Sequence, residues 1–188
     1  QDLVNAYKTE AGLPLLDTYF VQDVKNDMGI TSAQPFEPHQ GPLDPRLDWS
    51  VARRGIPYLG WGDFKGQSWI RDQTNNGPYM TKKFVYTKDQ NNQYSQGPNS
   101  GVTATNINII RLADVILMAA ECEVEIGSLD KAREYVNLVR ARAAKSEGFV
   151  KRENGTAAAN YQITTYEMPW TNKEFARKAV RFERRLEL

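Results

Sequence analysis

The stretch from residue 111 to residue 142 constrains the fold of this chain most, because its apolar residues recur at the spacing of two amphipathic helices. The apolar stripe of the first helix is Leu112, Val115, Ala119, Cys122 and Ile126, and that of the second is Ala132, Val136, Val139 and Ala143. A connection as short as the one between them forces two helices to lie antiparallel. The sequence therefore predicts a helical hairpin with a buried stripe on each helix.

The turn of the hairpin has its own signals. Gly127 tolerates a positive φ just after a helix end, and Ser128 can cap the next helix, whose first turn carries Asp130. This organisation is that of one unit of a tetratricopeptide-like (TPR-like) array, although the full repeat consensus is absent. We predict a mainly α fold of TPR-like helical hairpins, with a long irregular, aromatic-rich loop region and at most short β-strands.

Composition limits the function classes. The chain has 188 residues, enough for one domain or for one domain with a large appendage. Its formal charge of +1 gives no global attraction to nucleic acid or anionic lipid. The longest apolar run, 115–120, is far too short to span a bilayer. A single cysteine, Cys122, excludes an internal disulfide framework, and its place in the stripe predicts a packed thiol.

The amino-acid composition of the chain changes near residue 105. The first 100 residues hold eight of the nine prolines, which cannot lie in helix interiors, yet they also carry many aromatic rings. We predict that 1–105 is an irregular Pro/Gly/aromatic-rich region packed on a helical TPR-like region, 106–188, within one larger domain. Neither the start at Gln1 nor the end within a helical pattern has a natural signal, so we expect a segment of a longer chain.

A third helix is predicted near the end of the chain. Thr171 and Glu174 have capping-box spacing, and the apolar stripe that follows is Phe175, Ala179, Phe182 and Leu186. Basic residues cover the other faces of this helix. We expect them to pair with acidic residues three and four positions away along the same helix.

The most unusual composition lies between Tyr58 and Tyr79, where aromatic rings alternate with glycines and polar side chains. Aromatic rings beside amides and carboxylates suit sugars, because a ring covers the apolar face of a pyranose while the polar groups bind its hydroxyls. The predicted ligand-binding residues are Trp69, Tyr79, Trp61, Tyr58, Arg71, Asp72 and Asn75. The competing interpretation is that these rings anchor the loop on the core. We interpret Trp49 and Trp170 as packing residues.

No catalytic or metal-binding pattern stands out. His39 is the only histidine, so a Ser-His-Asp or Cys-His pair would have to use it, and we interpret it as an ordinary loop histidine. No Cys/His cluster has metal-ligand spacing, and no cofactor is predicted. Asp48 and Asp63 are a conceivable acid and base pair of a glycoside hydrolase. Nothing in the local sequence favours these two over the other acidic residues.

Three blocks in this order resemble the SusD/RagB family. DPRLDWSVARRGIPY at 44–58 resembles its D-P-R-[LF] stretch, and RLADVILMAAECEVEIGSLDKAREYVNLVRARA at 111–143 resembles its R-x-A-[ED]-x-x-L-x-x-A-E signature with the following N-x-[VI]-R-x-R-A. RFERRLEL at 181–188 resembles its [RH]-E-R-R-x-E-L helix. The resemblance spans nearly this whole chain and corresponds to the C-terminal portion of the family.

The resemblance implies a non-catalytic outer-membrane lipoprotein, exposed at the cell surface and anchored through an N-terminal cysteine outside this segment. Such proteins bind glycans and sit on a SusC-like TonB-dependent transporter, as part of polysaccharide uptake. It also implies that the signature residues are scaffold residues whose charges pair where helices pack: Arg111, Asp114, Glu121, Asn137, Arg140 and Arg142. Ligand residues vary within the family, so the aromatic loop remains an inference from composition.

Two other functions stay open on the sequence alone. The hairpin and the polar loops would suit a TPR-like scaffold that binds a protein or peptide. A glycoside hydrolase fragment is the third hypothesis, for which the sequence offers only unplaced carboxylates. The sequence does not identify the sugar, its linkage or its chain length.

Overall fold

The structure, a computed structural model, describes residues 1–91 and 105–188. The helices in these residues are α1 (Asp2–Ala6), α2 (Leu47–Ser50), α3 (Gln73–Asn76), α4 (Leu112–Ile126), α5 (Leu129–Ala143) and α6 (Lys173–Glu187). The strands are β1 (Thr9–Glu10), β2 (Leu13–Pro14), β3 (Val51–Ala52) and β4 (Met80–Thr81), and short 3-10 turns lie at Gly66–Trp69, Lys88–Gln90 and Ser146–Gly148.

The strands form two antiparallel pairs of two residues each. β1 pairs with β2 through Thr9 opposite Pro14, and β3 pairs with β4 through Val51 opposite Thr81. Long helices and very short strands confirm the predicted mainly α fold. No helix in the described ranges combines the length and the apolar character needed to cross a membrane.

The three long helices pack on one another around a shared apolar core. The fully buried side chains of this core are Leu117, Ala120 and Val124 from α4, Ala132, Val136 and Val139 from α5, and Ala176, Ala179 and Val180 from α6. Alanines at the contact let the backbones approach closely. Only Gly127 and Ser128 separate α4 from α5, so the predicted hairpin is confirmed.

The buried face of α4 differs from the predicted one. Leu112 is 75% exposed and Ile126 is 91% exposed, whereas Leu117, Ala120 and Val124 are buried. This helix is apolar on more than one face, so periodicity alone cannot say which face the neighbouring helices cover. The predicted stripe is therefore an exposed apolar surface in this chain, and Cys122 on it is exposed too.

The exposed position of Cys122 predicts easy modification. In the folded 188-residue chain, we expect the thiol to react with a water-soluble thiol reagent about as fast as in urea, because no packing shields it. The reaction is followed by absorbance without and with denaturant. Slowing by a hundredfold in the native state would contradict the exposed placement.

The turn between α4 and α5 confirms one of the two predicted turn signals, the cap at Ser128, and contradicts the other, the positive φ at Gly127. Ser128 caps α5 by accepting a hydrogen bond from the backbone N–H of Lys131 at 3.4 Å, as predicted. Gly127 has φ −122°, so the predicted positive φ is absent and does not explain the glycine at this position. A Cβ there would instead collide with the Glu123 carboxylate, which accepts the backbone N–H of Ser128 at 2.9 Å.

The predicted capping box of α6 is wrong by one residue. Asn172, not Thr171, is the N-cap, and its side-chain oxygen accepts the backbone N–H of Phe175 at 2.9 Å. Asparagine competes well for this position because its short side chain reaches the first free N–H groups of a helix. The stripe is otherwise confirmed at Ala179, Phe182 and Leu186, although Phe175 is 39% exposed.

A buried ion network joins the irregular region to the long helices. Arg46 forms two hydrogen bonds with the Asp44 carboxylate, at 2.9 and 2.7 Å, and one with Glu183 at 2.6 Å. Arg140 donates to the other oxygen of Glu183 at 2.7 Å and to the carbonyl oxygens of Gly12 and Thr164. Asp44, Arg140 and Glu183 are fully buried. This network explains why the D-P-R stretch, α5 and α6 each carry buried charged residues.

The other signature residues are paired as the resemblance implies. Arg111 and Arg142 both bind the Glu187 carboxylate, at 2.5 and 2.6 Å. The remaining partners are Arg184 for Asp114, Arg181 for Glu121, and the backbone of Tyr166 for Asn137. The predicted pairing of this set is confirmed, and its scaffold role stays a prediction.

The basic side chains of α6 pair across to other elements, not along their own helix as predicted. Arg177 and Lys173 both reach Glu125 of α4, at 2.5 and 3.3 Å. Lys178 binds Asp17 at 2.6 Å. The predicted pairing is wrong because neighbouring elements bring acidic side chains closer than the helix itself does.

The irregular region contributes to the core. Phe182 and Leu186 of α6 pack in one cluster with buried residues of the first 51 positions: Val4, Ala6, Tyr7, Val24, Leu43, Leu47 and Val51. The hydroxyl of Tyr7 donates to the carbonyl oxygen of Leu186 at 3.0 Å. The proline-rich segment is thus packed against the helices. The boundary at residue 105 stays a prediction.

Candidate functional site

The segment from Ile56 to Phe64 folds back on itself at the start of the aromatic loop. Backbone hydrogen bonds join Phe64 to Ile56 at 3.0 Å and Tyr58 to Gly62 at 2.8 Å. The turn between them needs positive φ at Gly60 (+81°) and Gly62 (+89°), which glycine adopts without strain. This turn holds Trp61 at the surface, where its side chain is exposed.

Two adjoining cavities, of about 330 and 730 Å³, lie against this turn. They share Pro57, Gly60 and Lys151, and we name them together the Gly60 groove. The residues that line it are Trp49, Pro57, Leu59, Gly60, Gly62, Asp63, Lys65, Lys82, Thr87, Asp89, Phe149, Val150, Lys151, Arg152, Glu153 and Asn154. Volumes in this range are typical of small-ligand sites.

The smaller cavity is the aromatic end of the groove. Trp49 is 50% exposed, and its indole N–H donates to the carbonyl oxygen of Gly148 at 2.7 Å. Phe149 packs edge-on against Tyr161, with 5.3 Å between ring centroids. The hydrogen bond fixes the orientation of the indole and ties the 3-10 turn at 146–148 to the end of α2. A half-exposed, oriented indole is a suitable surface for a sugar ring.

A second buried ion pair supports this aromatic end from below. Asp48 is fully buried and receives two hydrogen bonds from Arg53, both at 2.7 Å. The Tyr161 hydroxyl donates to the same carboxylate at 2.7 Å, and burial next to Asp48 raises the pKa of Tyr161. Because Asp48 precedes Trp49 and Tyr161 contacts Phe149, this cluster positions both aromatic rings of the groove.

Lys82 also lines the aromatic end and is almost completely buried. Its ammonium donates to the carbonyl oxygens of Asp48 at 2.7 Å and Pro57 at 2.6 Å. Burial lowers the pKa of Lys82 to about 8. Lys82 follows β4, Asp48 belongs to α2, and Pro57 lies at the start of the aromatic loop. The ammonium of Lys82 therefore holds together three segments that surround the groove.

The larger cavity is the polar end of the groove. Arg152 lies 3.8 Å from the Asp63 carboxylate, an exposed and weak ion pair. The Asn154 side chain accepts the backbone N–H of Thr156 at 3.1 Å, so its amide N–H groups are directed elsewhere. Lys65 and Glu153 are exposed here as well. Side chains with free donors and acceptors of this kind suit vicinal hydroxyl groups.

The structure places the predicted site residues in different environments. Trp61 is 40% exposed next to the groove, and the Lys88 ammonium lies 5.9 Å from its ring centroid. Tyr58 is 8% exposed and its hydroxyl donates to the carbonyl oxygen of Thr81 at 3.3 Å. The Tyr58 ring packs in a small core with Phe64 and Ile70, which leaves little of it open to a ligand, and its role in binding stays a prediction.

Trp69 and Tyr79, the rings expected to be most open, are half-buried. Trp69 packs edge-on against Tyr58 and Phe64, with centroid distances of 6.0 and 5.6 Å. The Tyr79 hydroxyl donates to the side-chain oxygen of Gln1 at 2.9 Å, and burial raises the pKa of Tyr79 to about 12. Neither residue lines the Gly60 groove. Both rings anchor the loop, which was the competing interpretation.

Arg71, Asp72 and Asn75 are exposed but lie outside the groove as well. Asp72 caps α3 by accepting the backbone N–H of Thr74 at 2.9 Å and its hydroxyl at 2.7 Å. A local capping role accounts for this carboxylate. The predicted set is therefore not gathered in one cavity.

None of the seven predicted ligand-binding residues lines the Gly60 groove, and the lining residues that the sequence analysis missed include Trp49, Phe149 and Lys151. Trp49 follows a buried aspartate in an apolar stretch, which is typical of a packing residue. Phe149 and Lys151 lie about a hundred positions away, in a segment with no aromatic periodicity. In the structure Trp49 is the exposed residue that follows buried Leu47 and Asp48 in the one-turn helix α2.

The described residues contain other charged groups and cavities besides the Gly60 groove. Asp48, one of the two aspartates considered for a hydrolase, has its carboxylate occupied by Arg53 and Tyr161. No group of three metal-ligating side chains occurs within 1–91 and 105–188. A further cavity of about 570 Å³ adjoins Arg46, Arg111 and Glu187, whose charges already satisfy one another.

Comparison with known proteins decides the family. The SusD family model matches residues 1–188, which is the whole chain. The chain belongs to the SusD family. A curated SusD-like protein of Formosa agariphila is 32% identical over 113 residues, which cover 60% of this chain and 17% of that protein. The crystal structure of a SusD-like protein from Bacteroides fragilis matches 98% of this chain with a TM-score of 0.57 and 20% identity.

Membership of the SusD family confirms the resemblance seen in the three motif blocks and the TPR-like helical fold. Proteins of this family are generally glycan-binding components of the outer membrane and generally lack catalysis. The chain spans 32% of the length of the Bacteroides structure as well as 17% of the Formosa protein. The activity and partners of the whole protein are therefore matters for proposal.

Proposed function

We propose that this chain is part of a cell-surface glycan-binding component of a TonB-dependent outer-membrane system for polysaccharide uptake, and that it binds its ligand without catalysis. The observation that carries the proposal is the Gly60 groove. It combines an oriented, half-exposed tryptophan with a polar end where the side chains of Lys65, Glu153 and Asn154 are exposed to solvent. Family membership supplies the class of ligand.

In this proposal a sugar ring stacks on Trp49, and further sugars extend toward Asp63 and Asn154. Trp61 and the edge of Phe149 flank the path. The site is open to solvent, so binding is expected to be weak and fast, which suits transfer to a transporter. The partner is a SusC-like TonB-dependent transporter, and the location is the outer surface of the outer membrane, through a lipid anchor.

A second function is favoured by one observation, the exposed apolar face of α4. Leu112, Val115, Met118 and Ile126 leave this helix uncovered on one side. Exposed apolar patches mark contacts with other protein surfaces. A protein-binding scaffold is therefore the alternative, and it makes no use of the Gly60 groove.

Substitution of Trp49 tests the proposed site. We expect Trp49→Ala in the whole protein to weaken glycan binding by roughly 30-fold, about 2 kcal/mol, because a central tryptophan supplies much of the contact energy of a small site. Trp49→Phe keeps a ring but loses the hydrogen bond to Gly148, so we expect an intermediate effect. Calorimetric titration is the measurement, since removing an indole disturbs fluorescence.

Arg71→Ala is the matched control, because Arg71 is exposed on the same loop but lines neither cavity of the groove. We expect its glycan affinity to equal that of the parent protein. Equal affinities for Trp49→Ala and the parent would rule out the groove. Loss of binding in both variants would place the ligand on the 71–79 side of the loop.

A further inference from the structure

Lys82 is a buried cation without a carboxylate partner. Lys82 is only 5% exposed, and two of its three ammonium N–H groups donate to the carbonyl oxygens of Asp48 and Pro57. The nearby Asp48 carboxylate is occupied by Arg53 and Tyr161. Lys82 forms no salt bridge with any acidic side chain in the described ranges, and 92–104 contains neither Asp nor Glu.

A buried charge of this kind is costly, because carbonyl dipoles replace only part of the hydration that an ammonium loses. Burial accordingly lowers the pKa of Lys82 to about 8, yet the group remains mainly protonated at pH 7. Asp48 and the Tyr58 ring, whose centroid lies 5.9 Å from the ammonium, compensate only part of this charge, so a positive potential reaches the adjoining cavity. That cavity is the aromatic end of the Gly60 groove.

A second lysine lines the same cavity. Lys151 is exposed, contributes to both ends of the groove, and makes no salt bridge among the residues that the structure describes. The acidic side chain at this end is Asp89, which accepts a hydrogen bond from the Thr87 hydroxyl. Two lysines against one aspartate leave the aromatic end positive. Asp89 faces the same space, so the positive potential is greatest on the side of Lys82 and Pro57.

We propose that the Gly60 groove selects an acidic glycan, in which an anionic group on a sugar ring, a carboxylate or a sulfate, pairs with Lys82 and Lys151 while the ring stacks on Trp49. The inference rests on the proposed glycan-binding function and adds the charge of the ligand. Such a substituent projects from the edge of a pyranose. A ring lying on the indole can therefore direct it toward a neighbouring ammonium.

The test begins with the whole protein and a panel of neutral, uronate-containing and sulfated oligosaccharides, measured by calorimetry at low salt. We expect binding to acidic members, with the uronate and sulfate sets showing which anion is preferred. For the tightest uronate binder, the methyl ester is the matched neutral probe, and for a sulfated binder it is the desulfated sugar. We expect at least tenfold weaker binding of the neutral probe, and a smaller difference at high salt.

Two variants test the lysines separately. Lys151→Gln is exposed and should fold normally, and we expect it to reduce the advantage of the acidic probe about threefold. Lys82→Met keeps the aliphatic stem but loses the hydrogen bonds to Asp48 and Pro57, so the readout is the ratio of the acidic-probe and neutral-probe affinities, and we expect most of that advantage to disappear. Lys131→Gln, an exposed substitution on α5 outside the groove, is the control and should change neither affinity.

The outcomes separate this inference from the proposed function. Binding of neutral sugars that is lost in Trp49→Ala, with no preference for acidic ones, overturns the acidic-ligand proposal and leaves glycan binding in place. A preference that is undiminished in Lys151→Gln also overturns it, even if Lys82→Met fails to fold. A panel without any binder, neutral or acidic, overturns both.

Discussion

Glu183→Ala is expected to destabilise the protein by about 3–5 kcal/mol, the cost of leaving a buried charge without its partner. Each oxygen of Glu183 accepts a hydrogen bond from a different buried arginine, Arg46 at 2.6 Å and Arg140 at 2.7 Å. Arg140, fully buried, would keep only the carbonyl oxygens of Gly12 and Thr164. Stabilities of single domains are only about 5–15 kcal/mol, so this loss is a large fraction of the total.

Urea denaturation followed by circular dichroism measures the effect, with thermal melting as a second measurement. For a chain of this size we expect the melting temperature to fall by roughly 6–20 °C. Glu174→Ala is the control on the same helix, because Glu174 is exposed in the first turn of α6 and should cost no more than about 1 kcal/mol. Similar melting temperatures for the two variants would show that the buried network contributes little.

Asp48→Ala is expected to lower stability by a similar amount, about 3–5 kcal/mol, and to impair glycan binding as well. The substitution removes both hydrogen bonds of Arg53, which is 3% exposed, and the acceptor of the Tyr161 hydroxyl. Because this cluster positions Trp49 and Phe149, its loss should disorder the aromatic end of the groove. The combined effect on folding and binding distinguishes it from Glu183→Ala, whose network contributes no residue to the lining of the groove.

Asp48→Asn keeps the shape and one acceptor oxygen, so we expect an effect between those of the alanine variant and the parent protein. Asp63→Asn is the matched control: Asp63 lines the groove but is exposed, and its one ion pair within 1–91 and 105–188, with Arg152, is 3.8 Å long. Its free energy of unfolding should change by less than about 0.5 kcal/mol. Denaturation and glycan titration on the same samples would check both properties. Unchanged stability in Asp48→Ala would contradict the supporting role of the cluster.

Local signals predicted the helices well because helix formation depends on nearby residues. The two-residue connection at Gly127 and Ser128 and the cap at Ser128 all act within one turn of chain. The motif blocks likewise identified the family, since their charged residues are needed at fixed positions. Arg46, Arg140 and Glu183 are far apart in sequence and meet only in the folded core.

The face of α4 could not be predicted from periodicity. Apolar residues occur on several of its sides, and α5 and α6 choose the side of Leu117, Ala120 and Val124. The same limit applies to the aromatic loop. Composition identified 58–79 as unusual, but whether a ring points to the core or to solvent depends on what packs against it.

The sequence by itself determined the hairpin, the third helix and the family, because each depends on residues close together or on motifs in a set order. Only the tertiary structure decided the candidate site. The Gly60 groove forms where 49–65 meets 148–154, a contact that includes the hydrogen bond from the Trp49 indole to Gly148. A single sequence does not indicate that two segments about a hundred residues apart are in contact. Such a contact arises from tertiary packing and not from the secondary-structure preferences of nearby residues.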